Sequence, residues 1–186
     1  LINEFPVWIS DVNDLSDACR MMESVGILTN RTETAGELNE QVRKAFGTLP
    51  PVVINNPDAP GRALAASNVT AAYLIWKDPY MTTGGDTFIS DMMNRAGFKN
   101  LFANRSRYPV TTIEELQALQ CKLVLLSSEP YPFKQAHAEY LQKQLPGTQV
   151  LLVDGEAFSW YGSRLLEAPS YFHSLHNKLE AMCYIR

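Results

Sequence analysis

The chain has 186 residues, 16 Lys+Arg against 20 Asp+Glu for a formal net charge of −4, and 46% hydrophobic residues. That length suits one domain of roughly 100–200 residues, or one domain plus a fragment of another. The apolar share excludes a disordered chain, and the mild acidity argues against a nucleic-acid binder, which would carry a basic patch. No stretch approaches the roughly 18 apolar residues of a membrane helix.

Leu1-Ile2-Asn3-Glu4-Phe5-Pro6 is neither an initiator Met nor a signal peptide, and it reads like the middle of a protein. Phe5 to Val12, with Val7, Trp8 and Ile9, reads as a short strand. Asp14 or Ser16 caps a helix running to about Leu28, with Leu15, Ala18, Cys19, Met22, Val25 and Leu28 at helical spacing. Asn30, with Glu33 three residues on, signals the start of a second helix. Its stripe is Ala35, Leu38, Val42, Ala45 and Phe46, and Gly47 ends it. Residues 48–69 are rich in turn formers such as Leu49-Pro50-Pro51 and Asn55-Asn56-Pro57, so they read as a linker.

After the linker the pattern becomes regular. Ala71–Trp76, Lys122–Ser127 and Gln149–Asp154 are apolar runs that suit buried strands, and Asn100–Ala103 suits a short one. Helices alternate with them. One is capped at Asp86 and ends at Gly97, one starts from the box Thr112-x-x-Glu115, one spans about Lys134–Leu145, and one spans Pro169–Met182. The fold class is α/β, with a mostly parallel sheet flanked by helices.

In open parallel sheets, ligands sit beyond the carboxyl ends of the strands. Here those ends carry Trp76 to Met81, Ser127 to Phe133, and Asp154 to Arg164. Such aromatic loops suit a large, partly planar ligand, although Pro and aromatic residues also pack loops without binding anything. Thr83-Gly84-Gly85-Asp86 precedes a helix but lacks the phosphate-binding patterns, and helix capping suits Asp86 better than holding an anion. His173-x-x-His176 with Glu180 has metal-compatible spacing but lacks a full shell, and a solvated helix face is the simpler reading. His137 reads as a lone surface residue. Ser159 and Ser163 have no nucleophile elbow, and Glu129 with Glu156 has no implied acid–base partner. Cys19, Cys121 and Cys183 are far apart and form no C-x-x-C, so a zinc ribbon and a dithiol motif are excluded and at most one disulfide forms. Three Asn-x-Ser/Thr tripeptides, at Asn30, Asn68 and Asn104, match glycosylation acceptors at chance frequency.

The run Tyr73-Leu74-Ile75-Trp76-Lys77-Asp78-Pro79-Tyr80-Met81-Thr82, followed by Gly84-Gly85-Asp86-Thr87-Phe88-Ile89, resembles the second lobe of helical-backbone solute-binding proteins. These are the extracytoplasmic receptors of ABC importers for cobalamin, ferric siderophores and haem. Asn100-Leu101-Phe102-Ala103, Ser106-Arg107-Tyr108-Pro109, Leu125 to Phe133, Asp154-Gly155-Glu156, and Trp160 to Arg164 with Glu167-Ala168-Pro169 continue the resemblance in order.

The resemblance implies a Rossmann-like lobe preceded by a long interlobe backbone helix, and a ligand clamped between two lobes. Residues 1–12 then resemble the last strand of a truncated N-terminal lobe. Residues 13–47 resemble the helical segment that includes the backbone helix, 48–69 a linker, and 70–186 the C-terminal ligand-binding lobe. The implied ligand-binding residues are Trp8, Trp76, Tyr80, Tyr131, Phe133, Trp160 and Arg164. Glu167 resembles the acid that docks on the permease. The implied ligand is a metal chelate such as cobalamin or a ferric siderophore, with no resident cofactor or metal. The implied location is periplasmic, or extracytoplasmic as an anchored lipoprotein. Self-association through an exposed half-cleft is a further expectation, and the alternatives are a hydrolase-like enzyme using the loop carboxylates or a non-binding fragment.

Overall fold

A computed structural model of the chain describes residues 4–49 and 69–182. Most of the expected linker, Asn68 and Cys183 lie outside the described residues, as does the side chain of Glu180. Helix α1 spans Leu15–Leu28, and its N-cap is Asp14, which accepts the Asp17 backbone N–H at 2.7 Å. Its buried stripe is Leu15, Ala18, Cys19 and Met22. Helix α2 spans Thr32–Phe46, about 22 Å at 1.5 Å per residue. The expected Asn30 cap is not formed. Asn30 adopts φ 55° in the turn after α1, and Arg31 occupies the N-cap position without a side-chain bond. The two helices pack as a hairpin at Gly26, where a Cβ would lie 2.5 Å from that of Ala35. Asn39, buried between them, donates to the Cys19 carbonyl at 3.0 Å.

The expected strand over Phe5–Val12 is absent; residues 6–13 of this segment are irregular up to α1. A strand needs neighbours for its ladder, and among the described residues none lies beside this segment. Phe5, Val7, Trp8 and Ile9 are consequently exposed.

The sheet is built on β1, Val69–Trp76. Its partners are β2 (Met81–Thr82), β3 (Phe98–Asn100), β4 (Leu123–Ser127) and, beyond β4, β5 (Gln149–Val153). Among these strands all pairings are parallel except β1 with β2, and Met81 of β2 also makes an isolated antiparallel bridge to Val110. One edge of β1 is shared: β3 pairs with Val69–Ala71, and β2 pairs with Leu74 and Trp76. The other edge takes β4.

Alternation along the strands makes two cores. Tyr73, Leu125 and Val153 belong to the core shared with α1, α2, α3 (Phe88–Arg95) and α7 (Ala168–Ala181). Leu74, Leu126 and Val150 belong to the core shared with α4 (Ile113–Ala118) and α5 (Gln135–Gln144). Each large side chain taken fully out of water contributes roughly 1.5–3 kcal/mol.

The route from β1 through α3 leads to β3 on one side, and the route through α4 returns to β4 on the other. The order therefore reverses at β1 and β4, and a crevice opens at their carboxyl ends.

Candidate ligand-binding site

The crevice places two aromatic residues side by side. Trp76 ends β1 and Tyr131 lies in the loop after β4, with ring centroids 5.7 Å apart and the rings edge to face. The loop is pinned to β1 because the Tyr131 backbone N–H donates to the Ile75 carbonyl at 3.3 Å. Trp76 is 41% exposed, so the pair presents apolar surface to the crevice. Phe133 is 6% exposed and backs Tyr131 at 4.8 Å. It belongs to the core with Leu74 and Leu126, so its expected cleft-lining position is corrected to a packing one.

Tyr80 is half-buried beside the same core, and its desolvation raises the phenol above its usual range. Lys77 pairs with Asp78 at 2.6 Å, and that hydrogen bond raises the ammonium above its ordinary value.

Glu129 organises the next part of the rim. Its Oε1 accepts from the Trp160 indole N–H at 2.5 Å and from the Ser159 hydroxyl at 2.9 Å. Its backbone carbonyl accepts from Ser127 Oγ, which itself accepts from the buried Tyr73 hydroxyl at 3.0 Å. Burial pushes the Tyr73 phenol far up, so it stays a neutral donor. Trp160, at the end of α6 (Glu156–Ser159), is 50% exposed. Neighbouring Tyr161 stands edge to face on Phe88 at 5.0 Å and ties the rim to α3.

Arg164 lies in the 3-10 turn Gly162–Leu166 and meets three carboxylates. Its guanidinium reaches Asp154 at 2.8 Å and Glu167 at 2.5 Å. Its Nε lies 3.1 Å from Glu156 Oε2, close enough for charge pairing but misaligned for a hydrogen bond. The guanidinium is thus already matched by acids, and Glu156 and Glu129 are engaged rather than poised as an acid–base pair. The Glu167 side chain, just before α7, keeps 70% of its surface exposed.

Trp8 is 46% exposed and makes no ring contact with the other aromatic residues among the described residues. Its segment nears the rim where Asp11 lies 4.0 Å from Arg107.

The glycine loop does not cradle an anion. The Gly84 and Gly85 amides donate to the Arg107 and Arg105 carbonyls at 2.7 and 2.9 Å. A Cβ on either would collide with backbone 2.2–2.3 Å away. Thr87 caps α3 in place of Asp86, whose carboxylate accepts the Arg107 N–H at 2.6 Å.

His176 leaves the expected solvated face. It stacks on Phe98 at 5.3 Å and bonds the Ala96 carbonyl, while His173 stays exposed. Among the described residues, no three His, Cys, Asp or Glu groups converge to hold a metal. Cys19 and Cys121 are buried free thiols.

No family model matches the sequence, and no curated protein matches it. Solved structures do match. An ABC transporter substrate-binding protein from Listeria monocytogenes is similar at TM-score 0.68 and 16% identity, over 90% of this chain and 66% of that one. The periplasmic vitamin B12 binding protein BtuF of Vibrio cholerae is similar at TM-score 0.65 and 14% identity, over 96% and 68%. A periplasmic haem-binding protein from Pseudomonas aeruginosa is similar at TM-score 0.67 and 18% identity, over 88% and 60%. The fold is that of periplasmic solute-binding proteins. These neighbours are binding proteins. The chain spans between 57% and 68% of the length of these solved chains. In this binding-protein fold, the reversal at β1 and β4 is where Trp76 and Tyr131 stand. Among the described residues, no helix is long and apolar enough to cross a membrane.

Proposed function

We propose that the chain forms one ligand-binding lobe of the extracytoplasmic receptor of an ABC importer. In this reading it contributes the aromatic wall of a cleft for a metal chelate, a corrinoid or ferric siderophore, and passes the chelate to a permease without catalysis of its own. The observation that carries the reading is the Trp76–Tyr131 pair at the crevice, with Trp160 bonded to Glu129 of the loop that also carries Tyr131. Exposed aromatic faces on a fixed frame suit a large planar ligand. The committed carboxylates favour binding over hydrolysis, since an enzyme needs a free base or nucleophile. Periplasmic placement, with anchoring as a lipoprotein, belongs to the same proposal.

The test is a Trp fluorescence titration with cyanocobalamin, a ferric hydroxamate and haem. Saturable quenching by one of them is expected, and silence with all three overturns the chelate reading. Glu167 is the proposed docking acid, because an exposed carboxylate steers a basic partner. Glu167→Lys is expected to weaken permease binding at least tenfold, and unchanged affinity rejects the docking role.

A further inference from the structure

We infer that His137 is a positioning residue: it fixes the Tyr131 hydroxyl as a hydrogen-bond donor toward an acceptor oxygen of the ligand, an inference that rests on the rim being a ligand wall. His137 is the third residue of α5. Its Nδ1 accepts the Lys134 backbone N–H at 2.9 Å, at the start of the helix. A ring nitrogen that accepts carries no proton, so in the neutral imidazole the proton sits on Nε2. Nε2 lies 3.5 Å from the Tyr131 hydroxyl oxygen. The imidazole therefore donates and the phenol oxygen accepts. The phenol proton is then turned away from His137.

The Tyr131 ring is held from three sides. Trp76 meets it at 5.7 Å, Phe133 at 4.8 Å and the His137 ring at 5.6 Å. Phe133 also meets His137 edge to face at 5.7 Å, so buried packing supports the imidazole from behind. Glu129 of the same loop turns its Oε1 to Trp160 and Ser159 rather than to the phenol. Lys77 is engaged by Asp78. The rim thus offers one oriented hydroxyl donor beside an exposed indole. Its complement is a largely apolar ligand that carries a carboxylate, amide or hydroxamate oxygen at its edge.

The test uses the full chain and three probes, cyanocobalamin, a ferric hydroxamate and haem, followed by Trp fluorescence. His137→Gln keeps an acceptor for the helix start and removes the ring. Its melting temperature is expected to stay within roughly 2 °C of the wild type. Affinity for the tightest probe is expected to fall roughly three- to tenfold. Tyr131→Phe should lose a similar factor, and the double variant no more than either alone. Nitrogen NMR of the wild-type ring should show the Nε2–H tautomer at neutral pH. Losses that multiply in the double variant, or an Nδ1–H tautomer, overturn the inference while leaving the ligand wall intact. If the wild type binds none of the probes, the receptor reading fails and this inference fails with it.

Discussion

Glu129 makes four hydrogen bonds from one loop position, two through its carboxylate, one through its carbonyl and one through its N–H. Glu129→Ala should free the Trp160 indole and shift its emission to the red, at a stability cost of about 1 kcal/mol because the site is only part-buried. An unchanged spectrum would mean the carboxylate does not hold the ring. Arg164 makes the opposite case, one cation among Asp154, Glu156 and Glu167. Arg164→Gln leaves those acids facing one another. Its loss of melting temperature should shrink as salt rises, because screening weakens like-charge repulsion at partly exposed sites. A salt-independent loss would point to lost packing.

At the scale of elements, Glu115 fastens the loop before α4. Its bond from Arg105, then that from Thr111, holds its carboxyl below the usual carboxylate range. A depressed folded value stabilises above the unfolded value of about 4.3, and the gain is lost as pH falls through the folded one. Glu115→Gln should therefore be less stable than the wild type at pH 7, with the gap closing in acid, as urea melts at both pH values would read. Thr112→Ala should cost about 1 kcal/mol by removing the cap that accepts the Glu115 N–H at 3.1 Å.

That cap, the Asp14 cap and the apolar runs of β1, β4 and β5 were legible in the sequence because neighbours along the chain decide them. Other features were not. The short β2 exists through its pairing with β1 and its bridge to Val110, and the Phe5–Val12 segment has strand-like composition but no strand partner among the described residues. Asn30 fits both a cap and a left-handed turn, and the tight approach at Gly26 and Ala35 selects the turn. The sequence placed Trp76, Tyr131 and Trp160 at or after the carboxyl ends of β1, β4 and β5, where the structure also has them. It missed that Phe133 packs inward and that His137 reaches Tyr131, since both depend on how α5 docks.

For the whole molecule, the two cores share one sheet, so a cavity at its centre is felt on both sides. Leu125→Ala, fully buried in β4, should cost about 2–5 kcal/mol in denaturant unfolding. Trp8, Ile9, Trp76 and Trp160 each leave apolar surface exposed, which we expect to drive self-association. Sedimentation at rising concentration should show it, and a bound chelate should reduce it. The shared edge of β1 has a kinetic consequence. With β3 and β2 on one side and β4 on the other, the amides of β1 are shielded along both flanks. Deuterium should enter β1 only when the entire lobe opens, and it should enter the outer strand β5 much sooner. The aromatic wall would then stand on the slowest-exchanging strands, β1 and the equally flanked β4, free to adjust its loops while the ground beneath it stays closed.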